Sequence, residues 1–114
     1  MDVLFASVPV GDLDAAARWY EQLFGRPPDI VPNEHEVMWR VTDNGWLYVI
    51  EDRERAGRTV VTIAVNDLAR FVAELADRGV VAGPIEPVGD AGQRAIAVDP
   101  DGNGISLIEV AAAA

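Results

Sequence analysis

Apolar residues along this chain follow two periods, and the same succession of periods occurs twice. Val3–Val8 is a short, nearly continuous apolar run, which predicts a strand buried on both faces. Leu13, Ala16, Ala17, Tyr20, Leu23 and Phe24 then recur at helical spacing, so one face of a helix packs on a sheet. Asp12 suits its N-cap, Gly25 ends it, and Pro27-Pro28 bars its resumption. Asp29–Pro32 predicts a short edge strand, because Pro32 removes a ladder donor. Glu36–Thr42 and Trp46–Ile50 predict two strands joined at Asp43-Asn44-Gly45, where Asn-Gly supplies the positive φ of a tight hairpin.

The second half repeats the order. Thr59–Val65 predicts a strand, and Asp67 caps a helix whose buried stripe is Leu68, Phe71, Val72 and Leu75. Glu74 and Arg78 stand one turn apart and are expected to pair on its surface; Gly79 stops it. Val80–Val88, Ala91–Val98 and Gly104–Val110 predict three more strands. The shared core is Val10-Gly11-Asp12-Leu13 in one copy and Val65-Asn66-Asp67-Leu68 in the other. The fold class is therefore α+β, with two βαβββ modules: residues 1–51 and 59–110, a charged linker at 52–58, and a frayed tail at 111–114. Together they form one domain. A ligand would sit in the groove between two such modules.

Composition narrows the function. At 114 residues, half of them apolar, the chain can bury a core but contains no apolar run long enough to cross a bilayer. It has no basic-then-apolar leader at its start, so a cytoplasmic location is expected. The absence of cysteine excludes disulfides, thiolate metal sites and a cysteine nucleophile. The net charge of −10, with arginine as the only strong base, disfavours nucleic acid and anionic membrane, and would favour encounter with a cationic ligand. The single histidine, His35, lies between Glu34 and Glu36; strand alternation sends neighbours to opposite faces, so the triplet reads as a polar strand entrance rather than a metal site.

Val10-Gly11-Asp12-Leu13, followed by Arg18-Trp19-Tyr20 and Leu23-Phe24-Gly25, is similar to the opening of the vicinal oxygen chelate superfamily. Asp99-Pro100-Asp101-Gly102-Asn103, followed by Ile105-Ser106-Leu107-Ile108-Glu109, resembles that superfamily's closing hairpin. The superfamily includes glyoxalases, extradiol dioxygenases and bleomycin-resistance proteins. The resemblance implies two half-barrels around a central groove with the helices outside. It also implies where a metal would be held. One ligand position lies in each module's first strand, seven residues before the Asp of Asp-Leu, and falls here on Phe5 and Val60. Another lies in each module's last strand and falls on Tyr48 and Ser106. Phe and Val carry no donor, and neutral Ser and Tyr are poor ligands. The expectation is a site with no metal and no cofactor.

Alternation then gives the groove lining. Phe5 brings Val3 and Ser7, Tyr48 brings Trp46 and Ile50, Val60 brings Thr62 and Ala64, and Ser106 brings Ile108. No carboxylate or histidine is expected on these faces. The opposite faces, Leu4-Ala6-Val8, Leu47-Val49, Val61-Ile63-Val65 and Ile105-Leu107, suit burial beneath the helices, and Glu109 points to that opposite side too. A two-residue turn at Asn44-Gly45 puts Trp39 beside Tyr48; a three-residue turn with Gly45 in a bulge puts Met38 and Arg40 there instead. The second is favoured because it leaves Val37, Trp39 and Val41 on the buried side. Arg40 and Arg94 are then candidates for an anionic or planar ligand group.

These features favour a metal-independent small-molecule-binding protein over an enzyme, with no catalytic residue assigned. Phe5, Ser7, Arg40, Trp46, Tyr48, Val60, Thr62, Arg94, Ser106 and Ile108 form its ligand-binding set. The ligand is expected to be apolar or aromatic, with a cationic one favoured by charge. The resemblance further implies a homodimer with grooves at or near its interface. The competing reading is a lyase, isomerase or dioxygenase of the same superfamily with a non-standard site.

Overall fold

A computed structural model describes residues 1–90 and 92–110. The elements run β1 (Leu4–Val10), α1 (Leu13–Phe24), β2 (Ile30–Asn33), β3 (Glu36–Thr42), β4 (Gly45–Glu51), β5 (Val60–Ala64), α2 (Leu68–Asp77), β6 (Glu86–Val88), β7 (Gly92–Val98) and β8 (Gly104–Val110). This is the expected βαβββ succession, twice over. The expected frayed tail at 111–114, and Ala91 at the start of the seventh strand, lie outside the described residues.

The two four-stranded sheets repeat one topology, β1-β4-β3-β2 and β5-β8-β7-β6. In each, the first strand runs parallel to the last and the remaining pairs are antiparallel. Asp12 and Asp67 cap their helices as expected, accepting from Ala15 N and Arg70 N. Gly25 ends α1 at φ 73°, a left-handed conformation that costs glycine nothing.

One hydrophobic core serves both modules. It joins Val8, Val10, Trp39, Leu47 and Val49 of one sheet to Ala95, Ala97, Ile105 and Leu107 of the other, with Tyr20, Leu23, Leu68 and Leu75 from the helices. Polar bonds also cross between the modules. Asn103 Nδ2 donates to Pro9 O at 2.8 Å, and Gly11 N donates to Asp101 Oδ1 at 3.0 Å.

Several expectations need correction. Val3–Val8 is not buried on both faces: β1 is an edge strand, with Leu4 71% and Phe5 52% exposed, and only its end enters the core. Val61 and Ile63 are likewise only half-buried, and both line a cleft between the modules. Val80–Val88 forms a strand only from Glu86; before that, Val80 N bonds back to Leu75 O and Gly83 N to Ile96 O, which engages the backbone without a ladder. Neither Asn44 nor Gly45 has a positive φ. Space beside Gly45 is short instead: a Cβ there would lie 2.5 Å from Thr42 Oγ1, so the Thr42 side chain would have to turn aside. Arg78 does not pair with Glu74, which bonds Arg70 at 3.1 Å; Arg78 instead donates to the α1 carbonyls Gln22 O and Leu23 O.

Candidate functional site

Register fixes which side chains share a face. In the first sheet Phe5 is opposite Trp46, Ser7 is opposite Tyr48, and Tyr48 and Trp46 are opposite Met38 and Arg40. The favoured facing, with Met38 and Arg40 beside Tyr48 and Trp46, is the observed one, but the three-residue turn expected to produce it is not: Thr42 pairs with Gly45 across a two-residue turn, and the irregularity falls at Val41. Trp39 is fully buried on the other side, where its indole NH donates to Arg26 O at 3.0 Å. The outer face is aromatic: the Phe5 and Trp46 rings stack with centroids 6.4 Å apart, and Phe5 meets Tyr48 edge-on at 6.5 Å.

The second sheet offers a different wall. Thr62 pairs with Ser106, Ser106 with Ile96, and Ile108 with both Ala64 and Arg94. Val60 stands at one end, 72% exposed, whereas Ser106 is only 8% exposed beneath its larger neighbours. This face is mainly aliphatic, with two hydroxyls, the Arg94 guanidinium and, beside it in the register, the Glu86 carboxylate.

The predicted residues therefore assemble as two sets, one per sheet, both outside the shared core. Each face is open in the single chain, as the exposure of Phe5, Val60, Ile96 and Val98 records. A cleft of about 240 Å³ does span the modules, but it is bounded largely by inner-face residues such as Leu4, Ala6, Leu47, Val61 and Ile63.

The two arginines differ. Arg40 Nε and Nη2 donate to Asp43 O at 3.2 and 2.7 Å, which ties the guanidinium to its own hairpin turn. The Arg94 guanidinium has no hydrogen bond or ion pair among the described residues, although its backbone lies in the ladder between β6 and β8. Contrary to expectation, the faces do carry carboxylates: Glu36 pairs with Ile50, and Glu86 with Arg94. Continuing the alternation from Arg40 and Met38 back to Glu36 would have found the first. Glu109 lies on the inner side as expected, and Oε1 accepts from Leu68 N at 2.8 Å, adding a second acceptor at the start of α2. His35 sits in the β2–β3 turn, exposed, 3.3 Å from Glu34.

These features, a doubled βαβββ unit with its Asp-Leu helix caps and Asp-Gly-Asn turn, coincide with a family match. The model of the glyoxalase/bleomycin resistance protein/dioxygenase superfamily matches residues 3–107. The chain belongs to that superfamily. A glyoxalase/bleomycin resistance protein from Catenulispora acidiphila DSM 44928 is 36% identical, with a TM-score of 0.91 over 97% of this chain and all (100%) of that one. The antibiotic binding protein TnmS3 from Streptomyces sp. CB03234 is 24% identical, with a TM-score of 0.81 over 97% of each chain. A bleomycin-binding protein solved in complex with bleomycin is 21% identical, with a TM-score of 0.76 over 97% of this chain and 98% of that one. The last two likenesses concern the fold. No protein among the curated ones compared matches the sequence.

The metal of the superfamily's enzymes can be tested against the side chains present. The four positions to which the sequence resemblance assigns the metal ligands hold a phenyl, an isopropyl, a phenol and an alcohol, at Phe5, Val60, Tyr48 and Ser106. Ser106 is flanked by Thr62 and Ile96 rather than by a base that could activate it. These residues do not fit a divalent cation. Among the described residues, no three His, Asp or Glu side chains gather in a way that could hold one elsewhere. No described helix is long and apolar enough to cross a membrane.

Proposed function

We propose that this member of the superfamily is a metal-independent binding protein that sequesters an apolar or aromatic small molecule. The observation that carries this reading is the replacement of all four metal-ligand positions by side chains suited to contact rather than coordination. Phe5, Trp46 and Tyr48 supply flat apolar area, and Ser7, Thr62 and Ser106 supply hydroxyls to orient what lies on it. Uptake is driven by removing aromatic surface from water, and no bond in the ligand need change. The net charge of −10 raises the encounter rate of a cationic ligand.

The groove is completed by a second copy, the aromatic face of one chain meeting the hydroxyl-bearing face of its partner. Support comes from the exposed Phe5, Val60, Ile96 and Val98, large apolar side chains that a dimer would cover. Known binding of bleomycin and of an antibiotic by the two relatives named above is in keeping with this reading.

The test combines elemental analysis, thermal shift and sedimentation. Purified protein is expected to hold no stoichiometric metal, to be indifferent to divalent cations, to sediment as a dimer, and to be stabilised by aromatic antibiotics. Stoichiometric metal with a large cation-induced shift would overturn the reading in favour of a superfamily enzyme.

A further inference from the structure

Asparagine precedes glycine twice in this chain, and the two places match in the repeat. Asn44-Gly45 leads into β4 and Asn103-Gly104 into β8, the last strand of each module. This dipeptide has a chemistry of its own. The glycine nitrogen has no side chain to shield it, so the preceding carboxamide can approach it and close a five-membered ring. The two copies stand in opposite circumstances.

Asn103 is fully buried. Its Nδ2 donates to Pro9 O and to Asp99 Oδ2, both at 2.8 Å, and its Oδ1 accepts from Thr59 N at 3.0 Å. Swinging this carboxamide onto Gly104 would break all three bonds and leave buried polar atoms unmet. Asn44 is exposed, in the two-residue turn between Thr42 and Gly45. Its carboxamide has no hydrogen bond among the described residues, so no side-chain bond opposes ring closure. Its main-chain carbonyl does have a partner, accepting from Leu4 N at 2.8 Å.

We infer that Asn44 is a site of spontaneous deamidation, with water as the only co-reactant, and that Asn103 is protected from the same reaction. The Gly45 nitrogen bonds to Asn44 Cγ, the Cγ–Nδ2 bond breaks, and the nitrogen's proton leaves with the amide as ammonia. Water then opens the cyclic imide, restoring a proton to the nitrogen. Attack at Cγ gives aspartate; attack at the original main-chain carbonyl gives isoaspartate. Nothing is oxidised or reduced. In the isoaspartate product the main chain runs through Cβ and Cγ and is one atom longer. The carbonyl that Leu4 N bonds becomes a pendant carboxylate, no longer fixed by Gly45. The next pair along the same ladder is Phe5 with Trp46, whose rings stack at 6.4 Å. On the binding reading above, isoaspartate at the turn therefore loosens the aromatic ligand wall.

The test incubates the folded protein at mildly alkaline pH and maps its peptides by mass spectrometry. An isoaspartyl O-methyltransferase with labelled methyl donor counts isoaspartate. Asn44 is expected to gain about 1 Da, one NH2 replaced by OH, while Asn103 gains nothing. In urea both should convert. Asn44→Gln should abolish the folded-state signal, because its ring would need six members. If Asn44 stays intact in the folded protein while converting in urea, or if Asn103 converts as fast as Asn44 in the folded protein, the assignment is overturned. The isoaspartate form is then separated by anion exchange and titrated with dansylamide, a neutral fluorescent ring probe. Asn44→Asp, with the same charge on an unaltered main chain, is the reference. The isoaspartate form should bind about fivefold or more weakly than that reference. Equal affinities overturn the effect on the ligand wall and leave the modification site standing. If dansylamide does not bind the unmodified protein, the binding reading fails and takes that effect with it, while the mass shift at Asn44 still decides the site.

Discussion

Tyr20 donates its phenolic hydrogen to Asp99 Oδ2 at 2.9 Å, tying the first helix to the turn that precedes the last strand. Both residues are buried, and among the described residues no ion pair reaches the carboxylate. It is held by donors instead: Tyr20 OH and Asn103 Nδ2 reach Oδ2, while the Asp101 and Asn103 amides reach Oδ1. A buried charge is tolerated when its lone pairs are met in this way. The phenol's pKa is raised well above the ordinary tyrosine range, first by burial and then by the charge and hydrogen bond of Asp99. Its neutral form is therefore favoured by folding. That contribution is complete below the unfolded value of about 10 and is lost as pH rises beyond it, at up to about 1.4 kcal/mol per pH unit. Tyr20→Phe is expected to cost about 1–2 kcal/mol at neutral pH. It should also flatten the alkaline loss of stability. Urea unfolding at pH 7 and above pH 10 checks both, and an unchanged alkaline slope would contradict the assignment.

Gly57 gives a second prediction. It lies in the linker at φ 81°, and a Cβ there would come 2.3 Å from the backbone oxygen of Asp101. Two independent costs coincide, a left-handed backbone and a clash with an atom that cannot swing aside. Gly57→Ala should destabilise by about 2 kcal/mol or more. Gly89→Ala serves as its control: φ is positive there too, but nothing lies within 4 Å of the added Cβ. Thermal melts of the pair separate crowding from backbone strain.

Much of this was legible in local pattern, and its failures have a common cause. The β8 boundaries, Gly104–Val110, and the caps Asp12 and Asp67 depend on neighbours in sequence, and they were read correctly. The shared face of Arg40 with Trp46 followed from asking which register keeps Trp39 buried. Arg78 departs from the expected pairing because its acceptors, Gln22 O and Leu23 O, are more than fifty positions away in sequence. Residues 80–85 are apolar enough for a strand but find no ladder partner. For the site, alternation identified which side chains share each face. It carries no information on whether two faces of one chain meet, which depends on how the modules pack.

Glu109 yields a prediction that separates structure from binding. It adjoins Ile108 of the open face in sequence, yet it points inward to Leu68 N at the start of α2. Glu109→Ala should cost about 1 kcal/mol through the lost helix-terminal acceptor. Ligand affinity should not change. Chemical unfolding and a dansylamide titration test the two halves separately; weakened binding without loss of stability would place Glu109 on the wrong face.

Trp46 and Tyr48 make the opposite prediction. Both are half-buried on the open face, and both contact Phe5 rather than the shared core. Truncating a core aromatic typically costs 3–5 kcal/mol. Trp46→Ala and Tyr48→Ala should lose about 1–2 kcal/mol, because much of each ring already meets water and little void is left behind. Ligand uptake should fall further, by about tenfold, since the lost ring is the contact area itself. Trp39→Ala supplies the core benchmark, with its side chain fully buried and its indole bonded to Arg26 O. Parallel measurements of unfolding free energy and aromatic-antibiotic affinity on the three variants decide the matter. If Trp46→Ala and Tyr48→Ala unfold as readily as Trp39→Ala and show no selective loss of binding, these rings belong to the core, and the open face is not a ligand wall.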